Sequence, residues 1–175
     1  PKKADAAEVA PTMVYRVHEP PNPEKVEVFA KFASKLGFTV KTESSDVLSK
    51  SLNALVQKIE GTPVQNILES LAVRTMSKAK YSTQTSGHFG LAFDHYSHFT
   101  SPIRRYPDMM AHRLLQHYLD GGTSADKSAF EQKCKHASER EKLASEAERA
   151  SIKYKQVEYM SMQDFEDIYE GVITG

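Results

Sequence analysis

The chain has 175 residues, and its 23 Lys+Arg balance 23 Asp+Glu to a formal net charge of zero. Bulk charge therefore gives no reason to attract a polyanion, and any basic site must be local. A single cysteine, Cys134, excludes an internal disulfide framework and suits a reducing, cytoplasmic setting. No apolar run approaches the roughly 20 residues of a membrane span, and the first residues show no signal-peptide core.

Residues 1–11 are small and charged and read as a flexible leader. Residues 13–18 alternate and are rich in strand formers, which predicts a strand. Pro20, Pro21 and Pro23 stop it, because proline cannot donate to a ladder. A helix is predicted from Pro23, with Val26, Phe29, Phe32, Ala33 and Leu36 on its apolar face and Gly37 at its end. Ser45 or Asp46 opens a second helix carrying Leu48, Leu52, Leu55, Val56 and Ile59, closed by Gly61. Thr62-Pro63 caps a third, with Val64, Ile67, Leu68, Leu71 and Val73 inward. The run 88–93, preceded by Gly87, is short, aromatic and glycine-punctuated, and reads as a strand. Glycine within a strand marks close approach by another backbone or a ligand.

Tyr106 precedes Pro107 and so disfavours helix, which makes 101–105 a single turn and starts the next helix at Pro107. That helix runs to Leu119, before Asp120-Gly121-Gly122. Residues 124–160 hold no Gly or Pro and predict one long helix. Leu143, Ala147, Ala150, Tyr154 and Val157 share one face. Phe130, Cys134, Ala137, Ile152 and Tyr159 lie roughly opposite, with Glu141 and Glu148. A helix apolar on two sides belongs between layers, which would leave Glu148 partly desolvated. Residues 168–173 alternate like a first strand. The fold class is α+β, mostly helical with a few strands.

The chemistry concentrates at His98-Phe99-Thr100-Ser101-Pro102-Ile103-Arg104-Arg105-Tyr106-Pro107-Asp108. A hydroxyl before proline is a helix-entry signal. A helix N-terminus attracts anions, and two guanidiniums reinforce it with a fork that fits phosphate oxygens. The local pattern equally fits a solvated helix start, with Asp108 pairing one arginine in an exposed bridge of little worth. The seven histidines, including His95 and His98 near Asp94, show no zinc-like spacing. No Gly-rich Walker-type phosphate loop is present. Phe89, Phe93, Tyr96, Phe99 and Tyr106 crowd the approach to the arginines, which suits single-stranded nucleic acid or plain aromatic packing. Glu148 taken by itself is one helix acid among many.

Gly87-His88-Phe89-Gly90-Leu91-Ala92, Tyr96, the run from His98 to Asp108, and His112-Arg113 together resemble the RNase II/RNase R family and its RNB catalytic domain. Tyr15-Arg16-Val17-His18-Glu19-Pro20-Pro21 resembles the bacterial RNase R branch. The resemblance runs from about Tyr15 to the end. It implies a processive 3′-to-5′ hydrolytic exoribonuclease that degrades single-stranded RNA to nucleoside 5′-monophosphates with two divalent metals, usually Mg²⁺. It implies that Arg104 is the catalytic arginine on the scissile phosphate and Glu148 a functional glutamate near the 3′ end. It also implies RNA contacts from His98, Thr100, Ser101, Arg105 and Tyr106. The family's metal-binding aspartates belong upstream of residues 15–18, and no such cluster occurs in this sequence. Residues 12–165 therefore read as the C-terminal part of an RNB domain, and 166–175 as the start of an OB-fold RNA-binding domain. This piece is expected to bind no metal and to be inactive alone. Its exposed edges favour dimerisation. A non-enzymatic RNA-binding module, an inactive homologue, or an assembly module built on the long helix are the alternatives.

Overall fold

The computed structural model describes residues 10–164 and 166–171. Most of the leader lies outside the described residues. Those residues form strands β1 (Tyr15–Val17) and β2 (Lys80–Ser82), and helices α1 (Pro23–Lys35), α2 (Ser45–Ile59), α3 (Gln65–Thr75), α4 (Tyr106–Leu119) and α5 (Lys127–Ser161). The chain is mostly helical, with one small antiparallel sheet among the described residues. It divides into two compact units. Of the described residues, one holds 10–17, 79–88 and 93–148; the other holds 18–78, 89–92, 149–164 and 166–171.

The unit containing 18–78 is built from α1, α2 and α3. Asn22 caps α1, its side-chain oxygen accepting from the Lys25 N–H at 3.2 Å, and Pro23 follows at the position that needs no donor. The helix ends at Gly37, whose φ of 86° suits glycine. There the Phe38 N–H reaches the Ala33 carbonyl and the Gly37 N–H reaches Ser34, the paired bonds of a Schellman stop. Ser44 caps α2, one residue before the predicted start, through its hydroxyl on the Val47 N–H. Val26, Phe29, Ala33, Leu48, Leu52, Leu55, Ile59, Leu68 and Ala72 form the core. Three expectations fail here. Phe32, Leu36 and Val56, assigned to the apolar faces of α1 and α2, are exposed. The Thr62 hydroxyl donates back to the Ile59 carbonyl and finishes α2, so α3 starts at Gln65 without a side-chain cap. Val73 is 69% exposed, because the step of four and three from Leu68 buries Ala72 and Thr75 instead.

In the other unit, β1 and β2 pair with Arg16 opposite Tyr81. β2 was not predicted; its residues read as a mere exit from α3, and three residues are too few for periodicity to show. The outward N–H groups of the central pair are both satisfied, Arg16 by the Tyr96 carbonyl at 2.8 Å and Tyr81 by the Ser138 hydroxyl at 2.9 Å. These bonds cover the sheet at its middle, so the edges expected to pair with a second copy are engaged there. Val14, Tyr81, Met110, Leu114 and Cys134 make the core beneath.

Three further expectations need correction. The run 88–93 is not a strand: His88 and Phe93 form an isolated bridge, Phe89–Leu91 is a 3₁₀ turn, and Ala92 sits at φ 55°. A left-handed residue ends any extended run. The predicted close approach does occur, but at Gly87, where an added Cβ would lie 3.2 Å from the Phe93 carbonyl at φ 78°. Helix α5 is not buried between layers. Cys134 is its one buried residue among those described, while Leu143, Tyr154, Val157 and Tyr159 are all more than half exposed. Residues 168–171 form no strand, and 172–173 lie outside the described residues.

Candidate functional site

The predicted motif lies within the unit that carries β1 and β2. Residues 101–105 form the single turn expected, closed by the Arg104 and Arg105 N–H groups on the Ser101 carbonyl at 3.3 and 3.0 Å. Arg105 is the N-cap of α4 and offers no side-chain cap; Tyr106, expected outside the helix, is its first residue and Pro107 its second. The hydroxyl cap and the Pro102 entry expected at Ser101 are therefore absent.

Asp108 holds the turn instead. It is fully buried in the first turn of α4, and its Oδ2 accepts from the Ser101 N–H at 2.8 Å and from Arg105 Nη2 at 2.9 Å. Burial would raise this carboxyl, but the Ser101 N–H and the Arg105 guanidinium outweigh it and hold the pKa below its ordinary value. The anion that the helix N-terminus attracts is thus the chain's own carboxylate. The exposed, low-value bridge considered from sequence is a buried one.

The two arginines consequently differ. Arg105 is committed to Asp108, with only 23% of its side chain exposed. Arg104 is exposed and makes no hydrogen bond or ion pair through its side chain among the described residues. Ile103 beside it is fully exposed, and Tyr106 is 56% exposed. Thr100 is exposed as well. Phe99 stacks on His112 with ring centroids 4.0 Å apart, and His112 Nε2 meets the Phe99 carbonyl at 2.6 Å. Phe93 stacks on Tyr96 at 6.0 Å. Phe89 groups with the other unit, where it packs edge-on against His18.

His98, expected as an RNA contact, is half-buried and already holds a protein partner. Its Nδ1 lies 2.9 Å from the Tyr81 hydroxyl, and the rings meet edge to face at 5.6 Å. Arg16 stacks over Tyr81 at 4.6 Å and pairs with Glu141 at 2.6 Å. Desolvation, then the Arg105 and Arg16 charges, push His98 below 6.5; desolvation also raises Tyr81. Both groups stay neutral at pH 7 and share one hydrogen bond, whose donor is set by the imidazole tautomer. A half-buried histidine beside two guanidinium charges resists protonation. Its contribution is intact above about pH 6.5 and is lost as pH falls from there through its lower folded-state value. We expect His98→Gln, which keeps an acceptor for Tyr81, to flatten the stability curve across that window in urea titrations. An unchanged slope would contradict the neutral assignment.

Glu148 is exposed and is neither bonded nor ion-paired to the 101–105 turn. It lies about 10 Å along α5 beyond Glu141, at 1.5 Å per residue. The desolvation predicted for it does not occur. Besides Glu141 on Arg16, α5 brings a second acid into the unit, Glu131, which sequence reading missed. Its carboxylate accepts from the Ser82 hydroxyl at 3.1 and 3.2 Å, the Thr83 N–H at 2.6 Å and the Thr83 hydroxyl at 2.5 Å. Nothing in the local sequence marks an acid that binds a strand end 48 residues away.

Among the described residues no group of three or more His, Cys, Asp and Glu side chains is placed to hold a metal ion. Glu131 and the Oδ2 of Asp108 already accept from protein donors, and Asp108 Oδ1 is buried without a partner. The Mg²⁺ that the resemblance implies therefore does not fit the described residues, and no step is derived through it.

Residues 5–121 match the RNB domain family model. The chain is 42% identical over 165 residues to ribonuclease R of Aquifex aeolicus, covering 93% of this chain and 23% of that one. Its fold superposes on Mycoplasma genitalium RNase R in complex with ribose-methylated single-stranded RNA, with a TM-score of 0.69 and 30% identity, over 82% of this chain and 23% of that one. It is also similar to yeast Ssd1, a pseudonuclease, at a TM-score of 0.61 and 28% identity, over 72% of this chain and 16% of that one. The chain spans about a quarter of the length of the ribonuclease R relatives it matches. With the pinned 101–105 turn lying inside the matched span, the chain belongs to the RNB domain family, on its bacterial ribonuclease R branch.

Proposed function

We propose that this chain is the strand-gripping C-terminal part of the RNB domain of a processive 3′-to-5′ hydrolytic exoribonuclease. In that reading Arg104 takes the phosphate at the scissile end of single-stranded RNA. The observation that supports it is the division of labour at the turn: Asp108 occupies Arg105 and leaves Arg104 exposed beside exposed aromatic rings. A guanidinium offers two parallel donors to phosphate oxygens and offsets negative charge that grows there during hydrolysis. Phe93, Phe99 and Tyr106 supply faces on which bases stack. Ser101, held by its backbone, sets the turn, and Thr100 adds an exposed hydroxyl. Glu148 belongs to the same reading as a carboxylate near the 3′ end. The metals of the parent enzyme would come from residues other than those described, so the chain alone hydrolyses nothing. A cytoplasmic location and residues 166–175 as the start of an OB-fold belong to this proposal too. Self-association, with the sheet engaged at its middle, would use the exposed apolar side chains of α5.

Anisotropy with a labelled single-stranded oligoribonucleotide tests this reading. Arg104→Ala is expected to weaken binding about tenfold, the order of a lost charge-assisted bidentate contact. No nucleotide should be released with Mg²⁺ present. Release that disappears in Arg104→Ala would show that the chain is catalytic by itself; equal binding by both proteins would remove Arg104 from the interface.

The likeness to a pseudonuclease favours a second reading, a module that binds RNA without cutting it. Assay of the full-length parent with Mg²⁺ separates the two: nucleotide release abolished by Arg104→Ala supports the enzyme, and binding without release supports the module.

A further inference from the structure

A second cationic feature lies in the three-helix unit, apart from the 101–105 turn. A cavity of about 620 Å³ opens beside α2 and the chain that follows α1. Its floor includes Phe38, half-buried against the unit's core, together with Ala54 and Leu55. Lys41, Lys50 and Lys58 line it, and no carboxylate does. Lys50, Ala54 and Lys58 recur every four residues, so one stripe of α2 presents two ammonium groups around a small residue. The Lys41 N–H donates to the Ser51 hydroxyl at 2.9 Å, which fastens the third lysine's backbone to the same helix. None of the three ammonium groups is ion-paired among the described residues.

In a chain of zero net charge, three unpaired lysines around one apolar-floored cavity are a local excess of positive charge. The volume falls within the range of small-molecule sites. The ligand chemistry that fits is an anion with a flat apolar body: phosphate oxygens for the lysines, and a ring face for Phe38. We propose that this cavity is a nucleotide-phosphate site, separate from the one at Arg104. Its phosphate can come from a passing RNA strand or from a free nucleoside 5′-monophosphate. The strand source rests on the RNA reading above; the free-nucleotide source does not.

The probes are a labelled single-stranded oligoribonucleotide, followed by anisotropy over a salt series, and 5′-AMP, followed by amide chemical shifts. The variants are Lys50→Gln/Lys58→Gln and Arg104→Gln. All three lysines are exposed, so the double variant should keep the native circular dichroism spectrum and melting curve. If the source is the strand, the double variant lowers the slope of log K against log salt by about 1 to 1.5, since each phosphate neutralised on a single strand contributes about 0.7. If the source is a free nucleotide, 5′-AMP shifts the amides of residues 38–58 in the native chain and not in the double variant, while the strand slope stays put. Failure of the oligoribonucleotide to bind at all, with 5′-AMP still shifting these amides, would refute the RNA reading and keep this site. A double variant that matches the native chain toward both probes overturns the proposal, whatever Arg104→Gln does.

Discussion

Asp108→Ala is expected to destabilise the unit that carries the sheet by about 3 to 5 kcal/mol, the cost of leaving a desolvated charge without its partner. The substitution strands two donors at once, the Ser101 N–H and the Arg105 guanidinium. The turn that displays Arg104 loses its anchor with them, so RNA binding should fall alongside stability. Asp108→Asn keeps an acceptor of nearly the same shape and should cost about 1 to 2 kcal/mol. Cys134 provides an internal reporter. It is fully buried, and its thiol is pushed up to about 12 by burial and then by the nearby Glu131 charge. It should resist a disulfide reagent in the native chain and react as the unit opens. Urea midpoints, with thiol reactivity beside them, measure both variants; an alanine variant within about 1 kcal/mol of the native chain would refute the anchoring role.

The second large effect is expected at Glu131. Glu131→Ala removes the common acceptor of the Ser82 and Thr83 hydroxyls and the Thr83 N–H, and should cost about 2 to 3 kcal/mol. Burial opposes its ionised form, but the Thr83 and Ser82 hydrogen bonds win and hold the pKa below 4.5. Asp108 is likewise held below 3.8. Both carboxylates bind their proton more weakly in the folded chain than in the unfolded one. Their contributions are complete above those ordinary values and drain away as pH falls through the lower folded ones. Acid unfolding should therefore steepen below about pH 4.5, beneath the earlier loss assigned to His98. Glu131→Gln should make that acid limb shallower, and urea midpoints taken across the range test it. A limb of unchanged steepness would mean that the carboxylate contributes nothing by being ionised.

Much of the helical framework was legible because its signals are local. Asn22-Pro23, the apolar steps along α1 and α2, and Gly37 with the following Phe38 lie within a few residues of what they decide. The break between the 101–105 turn and α4 is legible near Pro107, but it falls at Arg105: Tyr106, which the pre-proline rule sets outside the helix, is the first residue of α4. The family resemblance rested on the same contiguous stretch, and the matched span bears it out.

What the sequence could not indicate depends on partners far along the chain. β2 exists because Tyr81 meets Arg16 on one side and Ser138 on the other. Periodicity made α5 look two-sided, but an apolar stripe states only what a helix could bury, not whether a neighbour is there to cover it. Adjacent arginines are equivalent in a sequence; burial of Asp108 separates them into a structural one and an exposed one. The sequence by itself determined the helices, their stops, the turn at 101–105 and the family. Only the tertiary structure decided which acid is buried, that His98 is pushed below its ordinary pKa and which arginine is left exposed, because each depends on desolvation and on charges brought together by folding.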